Sequence, residues 1–414
     1  MKAGLIGEKL GHSFSKEIHE SVAGYNYDLI ELNAEAFDSF MKEKKFDAIN
    51  VTIPYKEKVM AYCDEIDEKA KRIGAVNAIK NKNGKLLATN TDYEGMKWSL
   101  THHFSLQNKV VAIMGSGGTS KTAFTVCEDL GCKEIVRVAR NRSFPYISYE
   151  ELNQRKDIQI LINTTSVGMS PNIMEALVDL TPFKKLEGVM DVVYNPLTTS
   201  LCHQAEELKI PCVNGLEMLV GQALFAIDFF TETQTSKQEI LTLTKNIKNE
   251  KQNLVLIGMP GCGKSSIGKK LSRSLHKEFI DIDKEIEKDA NMKISDIFEK
   301  ETEAGFRKRE HEKILEISRK NGYVISCGGG VIKNEDNMKA LSLNGWIVFL
   351  DRDVTLLETG KGRPLSQDLE SVKRLEKERR CLYEKYSDIT IKNNGAFMNT
   401  IHKVMEAWNE NTGD

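Results

Sequence analysis

Two glycine-rich turns, each directly after a strand-like apolar run, are the segments of this 414-residue sequence that point most directly to chemistry. The second turn, Gly258–Ser265, follows the run Leu254–Ile257 and fits the pattern G-x-x-x-x-G-K-[ST]. Backbone N–H groups of such a loop surround the phosphates of ATP, its lysine reaches the β- and γ-phosphates, and its hydroxyl reaches Mg²⁺. We therefore predict an ATP site made by Gly258, Gly261, Cys262, Gly263, Lys264, Ser265 and Ser266, with Lys264 also catalytic and Ser265 a Mg²⁺ ligand.

The first turn predicts a dinucleotide site. The run Val110–Met114 leads into Gly115, and helix-compatible sequence continues to Leu130. Gly115 permits a tight turn, Gly117 lets the backbone approach a pyrophosphate, and Ser120 is small enough for the helix to pack closely. Strand, loop and helix follow one another in the order of a Rossmann unit.

The end of the next predicted strand, Glu134–Ala139, indicates which dinucleotide binds. An NAD site would place Asp or Glu there to hold the ribose 2′-hydroxyl. This sequence has two arginines instead, and a guanidinium group binds phosphate through two parallel hydrogen bonds. We therefore predict NADP rather than NAD, bound by Gly115, Ser116, Gly117, Gly118, Thr119, Arg140, Asn141 and Arg142.

Polar clusters before and after the first glycine turn resemble those of shikimate dehydrogenases, and the resemblance covers about residues 1–235. The motifs that carry it are Asn50–Lys56 (Asn-Val-Thr-Ile-Pro-Tyr-Lys), Gly74–Asn77, Asn90–Asp92, Asn163–Met169, Asp191–Pro196 and Gly215–Ala223. The resemblance implies that Ser13 and Ser15 hold a substrate carboxylate. It adds Thr164, Val192 and Gly215 to the cofactor residues, and assigns substrate contacts to Thr52, Lys56, Asn77, Asp92, Tyr194 and Gln222.

Lys56 and Asp92 would be the catalytic pair of this half. Reduction of a ketone by hydride leaves an oxyanion that needs a proton, and a positioned lysine or carboxylate can supply it. Which of the two is the acid stays open. The sequence departs from the family at Lys16 and at Glu217, where glycine is usual, and we expect the Glu217 carboxylate near the nicotinamide to weaken cofactor binding.

Residues 253–414 resemble shikimate kinase. Asp281 and Asp283 lie two apart in a predicted strand, so both side chains would face the phosphates. The resemblance implies that Asp281 helps to hold Mg²⁺ and that Asp283 is catalytic and binds substrate hydroxyls. It implies further substrate contacts from Arg307, Gly328, Gly329, Gly330 and Arg379, and a catalytic, ATP-binding lid arginine at Arg363.

The lid itself departs from the family. The segment 354–362 is a few residues short, and Glu358 stands where an arginine is usual. One positive charge near ATP is then absent or supplied by Lys361. Because phosphoryl transfer depends on charge neutralisation, a thinner lid would raise KM for ATP or slow turnover.

The amino-acid composition limits the kinds of partner that we expect the protein to bind. The apolar fraction is 40%, the charged fraction 29% and the net charge −2, which predicts no nucleic-acid or membrane partner. The eight cysteines form no C-x-x-C pair and no zinc-type spacing, so we expect reduced thiols, and no run reaches ~20 apolar residues. We predict a cytoplasmic protein with small-molecule substrates, and the oligomeric state stays open. Oxidation of Cys262 or Cys327 could block the kinase selectively, or both could be inert small residues.

Alternating strand-like and helix-like segments predict an α/β fold. Four short apolar runs predict central parallel strands, buried on both faces, at Val110–Met114, Ile158–Ile162, Leu254–Ile257 and Trp346–Leu350. We predict an α/β substrate domain over 1–100 and a Rossmann-like NADP domain over 101–240, whose last helix returns to the substrate domain. A linker over 241–252 would lead to a P-loop, NMP-kinase-like α/β domain with a parallel sheet over 253–414. The alternative for the polar stretch near 240–252 is a surface helix within one domain.

The two resemblances together imply reduction of 3-dehydroshikimate to shikimate with NADPH, followed by phosphorylation of shikimate to shikimate 3-phosphate with ATP and Mg²⁺. Three alternatives stay open. The C-terminal half could be a nucleotide-sensing module, the N-terminal half an NAD-linked quinate dehydrogenase, or the second half a kinase for another acid, such as a gluconate kinase.

Overall fold

Three sheets, each covered by helices, organise the chain in a computed structural model that describes residues 1–10, 14–140, 145–358 and 368–413. The chain divides into two compact units. The first comprises Met1–Met169, Glu175–Asn195 and Thr199–Thr244, and the second comprises Ser170–Met174, Pro196–Thr198 and Lys245–Asp414.

The first sheet of the N-terminal unit is mixed. Its strands are β1 (Ala3–Gly7), β2 (Tyr27–Glu31), β3 (Ala48–Val51), β4 (Glu65–Ile66), β5 (Ala78–Lys82) and β6 (Lys85–Thr89), in the order β2-β1-β3-β5-β6-β4. Strand β5 is antiparallel to β3 and β6, and the other pairs are parallel. The helices are α1 (Ser15–Ala23), α2 (Ala34–Glu43), α3 (Glu68–Ile73) and α4 (Thr91–His103), with a 3₁₀ turn at Lys58–Tyr62.

The second sheet is parallel throughout, because helices cover both faces. It contains β7 (Val110–Met114), β8 (Glu134–Val138), β9 (Tyr146–Ile147), β10 (Ile160–Asn163), β11 (Gly188–Asp191) and β12 (Cys212–Val213), in the order β12-β11-β10-β7-β8-β9. The helices are α5 (Gly118–Asp129), α6 (Tyr149–Gln154), α7 (Ser200–Glu207) and α8 (Gly215–Thr231). Strand order reverses between β7 and β10, and such a crevice is where open α/β sheets bind ligands.

The C-terminal unit holds the third sheet, which is also parallel. Its strands are β13 (Asn253–Ile257), β14 (Glu278–Asp281), β15 (Tyr323–Ser326), β16 (Gly345–Asp351) and β17 (Ile389–Lys392), in the order β14-β15-β13-β16-β17. After α9 (Lys237–Lys251) come α10 (Lys264–Ser274), α11 (Ile282–Ala290), α12 (Ile294–Ile317, broken at Thr302), α13 (Glu335–Ser342), α14 (Leu369–Tyr386) and α15 (Phe397–Thr412), with 3₁₀ turns at Val331–Lys333 and Val354–Leu356.

The predicted α/β class and the four predicted central strands are confirmed: β7, β10, β13 and β16 are parallel strands with parallel partners on both sides. The polar stretch predicted as a linker, 241–252, coincides largely with helix α9, and the division between the two units falls inside that helix. In the described ranges, no helix is both long and apolar enough to span a bilayer.

Candidate active sites

A cavity of about 200 Å³ lies in the N-terminal unit between the ends of the first two sheets. Ten of the predicted substrate and cofactor positions line this cavity, and five more line a neighbouring groove. The cavity itself is lined by Leu5, Ser15, Asn50, Val51, Thr52, Lys56, Asn77, Asp92, Thr119, Val192, Tyr194, Gly215, Met218, Leu219 and Gln222. Ser13 lies outside the described residues.

Lys56 and Asp92 form an ion pair in this cavity. Lys56 lies in the turn after β3, and Asp92 lies in the first turn of α4, whose N-cap Asn90 accepts a hydrogen bond from Tyr93 N. The Lys56 ammonium donates to Asp92 Oδ2 at 2.6 Å, and the side chains are only 19% and 11% exposed. Sequence reasoning placed these two residues in one site, and the fold brings them into direct contact across 36 positions.

Close packing of α4 on α8 brings Asp92 and Gln222 into the same cavity. A Cβ added to Gly95 would lie 2.6 Å from the Met218 carbonyl oxygen and 2.8 Å from Gln222 N. Only glycine therefore permits this approach at that position. Gln222 lines the cavity, and its Nε2 donates to the Leu219 carbonyl at 3.0 Å.

A buried amide network forms the polar wall beside Lys56. Thr91 N donates to Asn77 Oδ1 at 2.6 Å, and Asn50 Nδ2 donates to the Asn77 carbonyl at 3.1 Å. Tyr27 fixes Asn50 in turn by donating to its Oδ1 at 2.7 Å. Asn50 was part of a recognised motif but had no predicted role. Its position on the cavity wall makes it a further candidate substrate contact.

The opposite wall is formed by Ser15 and Tyr194. Ser15 begins α1 and is buried, and the Tyr194 ring lies 5.3 Å from that of Phe14, between centroids. Burial raises the pKa of the Tyr194 hydroxyl, so the phenol is a neutral hydrogen-bonding group.

A larger groove lies beside the first glycine turn. It is lined by Gly115, Ser116, Gly117, Ala139, Arg140, Tyr146, Tyr149, Thr164, Thr165 and Ser166. Gly117 is the N-cap of α5 and Gly118 its first residue, so the backbone N–H groups of the first turn face the groove, as an anion site requires. Arg140 lies at the end of the strand segment, where a 2′-phosphate was predicted, whereas Asn141 and Arg142 lie outside the described residues.

The predicted cofactor positions thus divide between the groove and the cavity. The residues for the phosphates and ribose lie in the groove, while Thr119, Val192 and Gly215 lie in the cavity with Lys56. Sequence reasoning missed two groove residues, Tyr146 and Tyr149, because aromatic residues after an arginine-rich turn carry no distinctive pattern.

Asp191, at the carboxyl end of β11, was likewise not assigned a role. It accepts hydrogen bonds from Asn163 Nδ2 at 2.9 Å and from Thr199 Oγ1 at 2.7 Å, which join the ends of β10 and β11. Burial raises the pKa of Asp191 to about 6. Its role is to position the strand ends rather than to contact substrate.

Glu217 behaves differently from the expectation that its carboxylate lies near the nicotinamide. Its two oxygens bind His102 Nδ1 at 2.8 Å and His103 Nε2 at 2.7 Å, at the far end of α4. Although burial opposes ionisation, these contacts hold the pKa of Glu217 below its ordinary value. The expectation is therefore corrected: the carboxylate is turned away from the cavity lining.

In the C-terminal unit, a pocket of about 300 Å³ surrounds the second glycine turn. Lys264 begins α10, is 8% exposed, and donates to the carbonyls of Gly258 at 2.8 Å and Met259 at 3.0 Å. The pocket is lined by Pro260, Gly261, Gly263, Lys264, Ser265, Ser266, Asp283, Ile294, Phe298, Phe306, Arg307, Glu310, Ser326, Cys327, Gly328, Gly329, Gly330, Glu358 and Arg379. The predicted positions Gly258, Cys262 and Asp281 are not among these lining residues.

The two aspartates are arranged differently from the sequence expectation. Strand β14 ends at Asp281, which caps α11 by accepting from Lys284 N at 3.4 Å, and Asp283 lies in the first helical turn. The same-face argument for a strand was therefore wrong, although Asp283 still lines the pocket. Burial, then the nearby carboxylates of Glu310 and Asp281, raises the pKa of Asp283 to about 7.

Arg307, Arg379 and Glu310 complete the pocket. Arg307 Nη1 donates to Glu310 Oε2 at 2.7 Å and Nη2 to Glu303 Oε1 at 3.1 Å, while Arg379 Nη1 donates to the Gly329 carbonyl at 2.8 Å. Among the described residues, Asp283 Oδ1, Glu310 Oε1 and Arg379 Nε are buried without a hydrogen-bond partner. Unsatisfied buried polar atoms that converge on a pocket indicate a polar ligand.

The glycine run after β15, Gly328–Gly330, is required because polar side chains converge on it from the pocket. A Cβ on Gly330 would lie 2.3 Å from Arg307 Nη2. A side chain there would displace the guanidinium group, so the run leaves bare backbone beside the two arginines. Sequence reasoning did not identify Glu310, Phe298 or Phe306 as pocket residues, because charged and aromatic residues on a long helix more often face solvent or core.

The lid falls largely outside the described residues, which end at Glu358 and resume at Asp368. Arg363 and Lys361 therefore have no structural assignment, and Glu358 lines the pocket. The two thiols of the oxidation hypothesis, Cys262 and Cys327, are 0% and 2% exposed. Burial raises the pKa of Cys327, which lowers the thiolate fraction that oxidation requires.

The two sites define the protein class: a reductase-type cleft with a Lys–Asp pair beside a dinucleotide groove, and a P-loop kinase pocket with two arginines and a buried acid. Family models match accordingly. The shikimate dehydrogenase substrate binding domain matches residues 5–79, and shikimate kinase matches residues 260–408.

Relatives agree for the first half. The shikimate dehydrogenase (NADP(+)) of Clostridium perfringens strain ATCC 13124 is 38% identical over 253 residues, which are 56% of this chain and 93% of that protein. The corresponding protein of Methanococcus maripaludis strain C6 is 35% identical, over 60% of this chain and 96% of its own.

Solved structures agree as well. Shikimate dehydrogenase 1 from Peptoclostridium difficile superposes with a TM-score of 0.54 at 34% identity, covering 59% of this chain and 97% of that one. A chorismate mutase/shikimate 5-dehydrogenase fusion protein from Clostridium acetobutylicum gives 0.56 at 34%, covering 59% and 96%. This chain belongs to the shikimate dehydrogenase family and carries a shikimate kinase domain after it, so the predicted pairing of two shikimate-pathway activities is confirmed.

Proposed function

We propose that the first site reduces 3-dehydroshikimate to shikimate with NADPH and that the second transfers a phosphoryl group from ATP to the 3-hydroxyl of shikimate. The observation that carries the proposal is that each nucleotide-type loop lies beside its own acid-type pocket. The Lys56–Asp92 pair lies next to the dinucleotide groove, and the Arg307–Arg379 pair lies next to the phosphate loop.

In the first site, bound NADPH supplies the hydride that adds to the carbonyl carbon. The chain must then deliver a proton to the carbonyl oxygen, and the Lys56–Asp92 pair is the ionisable pair that faces the cavity. Asp92 holds the ammonium in place at 2.6 Å, so the lysine needs no reorganisation to reach the developing oxyanion. Hydroxyl and amide groups of Ser15, Thr52, Asn77, Tyr194 and Gln222 orient the acid.

The cofactor residues fit NADP. Arg140 offers a planar donor group to a 2′-phosphate, and the N-terminal turn of α5 offers backbone N–H groups to the pyrophosphate. Thr119, Val192 and Gly215, the predicted cofactor residues outside the groove, line the same cavity as Lys56, where the nicotinamide end is expected.

In the second site, Lys264 exchanges its loop carbonyls for phosphate oxygens when ATP binds. Ser265 would hold Mg²⁺ directly, and Asp281, which does not line the pocket, would hold it through water, so that the ion neutralises phosphate charge. Asp283, with its pKa near neutrality, is suited to accept the proton of the attacking hydroxyl. Arg307 and Arg379 bind the substrate carboxylate, which replaces part of the present carboxylate and carbonyl partners of these guanidinium groups.

A split assay on the purified full chain tests the proposal. One reaction contains 3-dehydroshikimate and NADPH and follows NADPH loss, and the other contains shikimate, ATP and Mg²⁺ and follows ADP formation. We expect both signals, each dependent on its own substrate. NADPH loss without shikimate-dependent ADP formation would withdraw the kinase assignment and favour a nucleotide-sensing module or another acid, with gluconate as the next substrate to assay.

A further inference from the structure

The cluster His102–His103–Glu217 lies outside both active sites and combines three side chains of metal-ligand type. The helices that supply them are distant in sequence: the histidines end α4, and Glu217 lies in the first turn of α8. The three candidate ligand atoms lie within 4.8 Å of one another. Because the contact joins residues 114 and 115 positions apart, the fold rather than helical spacing creates it.

We propose that His102, His103 and Glu217 bind a divalent transition-metal ion of the Zn²⁺ type, with water as the fourth ligand. Two imidazoles and one carboxylate are a common zinc ligand set, and the open fourth position is characteristic of sites that are not purely structural. Hard cations such as Mg²⁺ prefer oxygen ligands and would not select two imidazoles.

The ligand geometry is close to that of a bound site. Each imidazole nitrogen contacts a different carboxylate oxygen, at 2.8 Å and 2.7 Å. Ligand atoms around a tetrahedral zinc ion, with bonds of about 2.0–2.1 Å, are about 3.3 Å apart. The three ligand atoms lie within 4.8 Å of one another, so side-chain movements of about 1 Å would bring them to this separation, with the bridging protons released to solvent.

Burial and support also suit a metal site. Glu217 is 8% exposed as a side chain, so its charge is held at a fixed place, whereas the histidine side chains are 36% and 35% exposed and leave a path for the ion. The His102 ring stacks on Trp98, with centroids 5.2 Å apart and an interplanar angle of 17°, which limits its rotation.

A metal at this place would join the last turn of α4 to the first turn of α8. These are the two helices that contribute Asp92 and Gln222 to the cavity, and Gly95 keeps them in close contact. Asp92 lies ten positions before His102, about 15 Å along a helix, so the ion would not touch the reacting atoms. Its effect would be to stabilise the helix pair.

The test is a titration of chelator-treated full-length protein with Co²⁺, followed by the visible absorption of four-coordinate cobalt, with Zn²⁺ as competitor. We expect one equivalent to bind and Zn²⁺ to displace it. In the variants Glu217→Gln and His102→Ala/His103→Ala, we expect the dissociation constant to rise at least about 10-fold, since even outer-shell changes cost 10–100-fold. Zn²⁺ should also raise the melting temperature of the wild type and not of these variants.

His203→Ala is the matched control, because His203 is a partly exposed imidazole on α7 that faces a single carboxylate, Glu207, at 3.7 Å. It should leave cobalt binding unchanged. Circular dichroism shows whether Glu217→Gln is folded. If it is poorly folded, the double histidine variant tests the proposed metal site by itself, because it removes exposed side chains only.

Three results would overturn the proposal: no cobalt binding, equal affinity in wild type and cluster variants, or a spectrum dominated by thiolate-to-cobalt charge transfer. The last would place the ion on cysteines, since the Cys127 and Cys132 thiols contact each other, as do those of Cys202 and Cys212.

Discussion

The reductase cavity and the kinase pocket are proposed to bind the same acid, yet they do so with different amounts of charge. Among the described lining residues, the cavity has one ion pair, Lys56 and Asp92, set among hydroxyl and amide groups. The kinase pocket has three cations and three carboxylates: Lys264, Arg307, Arg379, Asp283, Glu310 and Glu358.

The reactions explain the difference. Hydride and proton transfer to a ketone adds no net charge beside the substrate, so one positioned proton donor is enough. Phosphoryl transfer brings several phosphate oxygens into the pocket, and their charge must be neutralised in a place with little water. The Glu310 carboxylate holds Arg307 in place by accepting from its Nη1 at 2.7 Å.

The largest expected effect is a loss of kinase activity with no change in dehydrogenase activity. Lys264→Ala removes the cation of the phosphate loop and should lower kinase kcat by about 10²–10³-fold, the usual cost of a lost electrostatic contact to the transition state. ADP formation measures it, with NADPH oxidation unchanged. Lys269→Ala, on the exposed face of the same helix, is the control. Retention of most kinase activity would contradict the assignment of the phosphate loop.

The complementary experiment affects the dehydrogenase site and changes the Lys56–Asp92 pair. Lys56→Ala should lower dehydrogenase kcat by ~10²-fold or more, the scale of a general acid–base group, and leave ADP formation unchanged. Lys58→Ala, which removes an exposed lysine paired with Asp38 at 2.6 Å, should have no such effect. An unchanged kcat with a raised KM would make Lys56 a binding residue instead.

Recognition of the acid should differ as well. Arg379→Lys keeps the charge but loses the planar donor pair, so the kinase KM for shikimate should rise about 10-fold with a smaller change in kcat. The neighbouring Arg380 pairs with Asp351 at 3.0 Å, so Arg380→Lys is a control that should leave KM unchanged. Equal effects of both substitutions would show that Arg379 acts through the stability of the helix.

The smallest effect concerns pH. The fold raises the pKa of Asp283 from its ordinary value of 3.8 to about 7, which means that protonation of this carboxyl group stabilises the folded state. That stabilisation is complete below about pH 4 and is lost as the pH rises through 7. The side chain of the Asp283→Asn variant cannot ionise. The melting temperature of the variant should therefore rise relative to that of the wild type by roughly 5 °C as the pH increases from 5 to 8, without ligands.

Asp353→Asn is the control for this pH dependence, because the pKa of Asp353 is shifted in the opposite direction. Hydrogen bonds from Thr355 lower the pKa of Asp353, so any pH-dependent contribution is already complete above its ordinary value of 3.8. The difference from wild type should be flat between pH 5 and 8. A flat profile for Asp283→Asn would mean that its carboxyl is ionised in the folded pocket.

The sequence by itself determined the elements whose signal is local. Apolar runs marked the central strands, and the glycine turns after β7 and β13 marked both nucleotide loops, because backbone N–H groups at a helix N-terminus need only neighbouring residues. Motif order identified Lys56 and Asp92, although spacing alone would have left each a surface residue.

Only the tertiary structure decided where distant side chains meet. Helix α11 begins at Ile282, whereas the strand argument needed the strand to continue through Asp283; Asp281 accepts a helix N–H group and so ends β14. Glu310 of α12 lines the pocket together with Asp283 of α11 because these two helices pack on each other. Glu217 faces two histidines because α4 and α8 touch at Gly95. Such contacts depend on packing between helices far apart in the chain, which no local pattern of residues encodes.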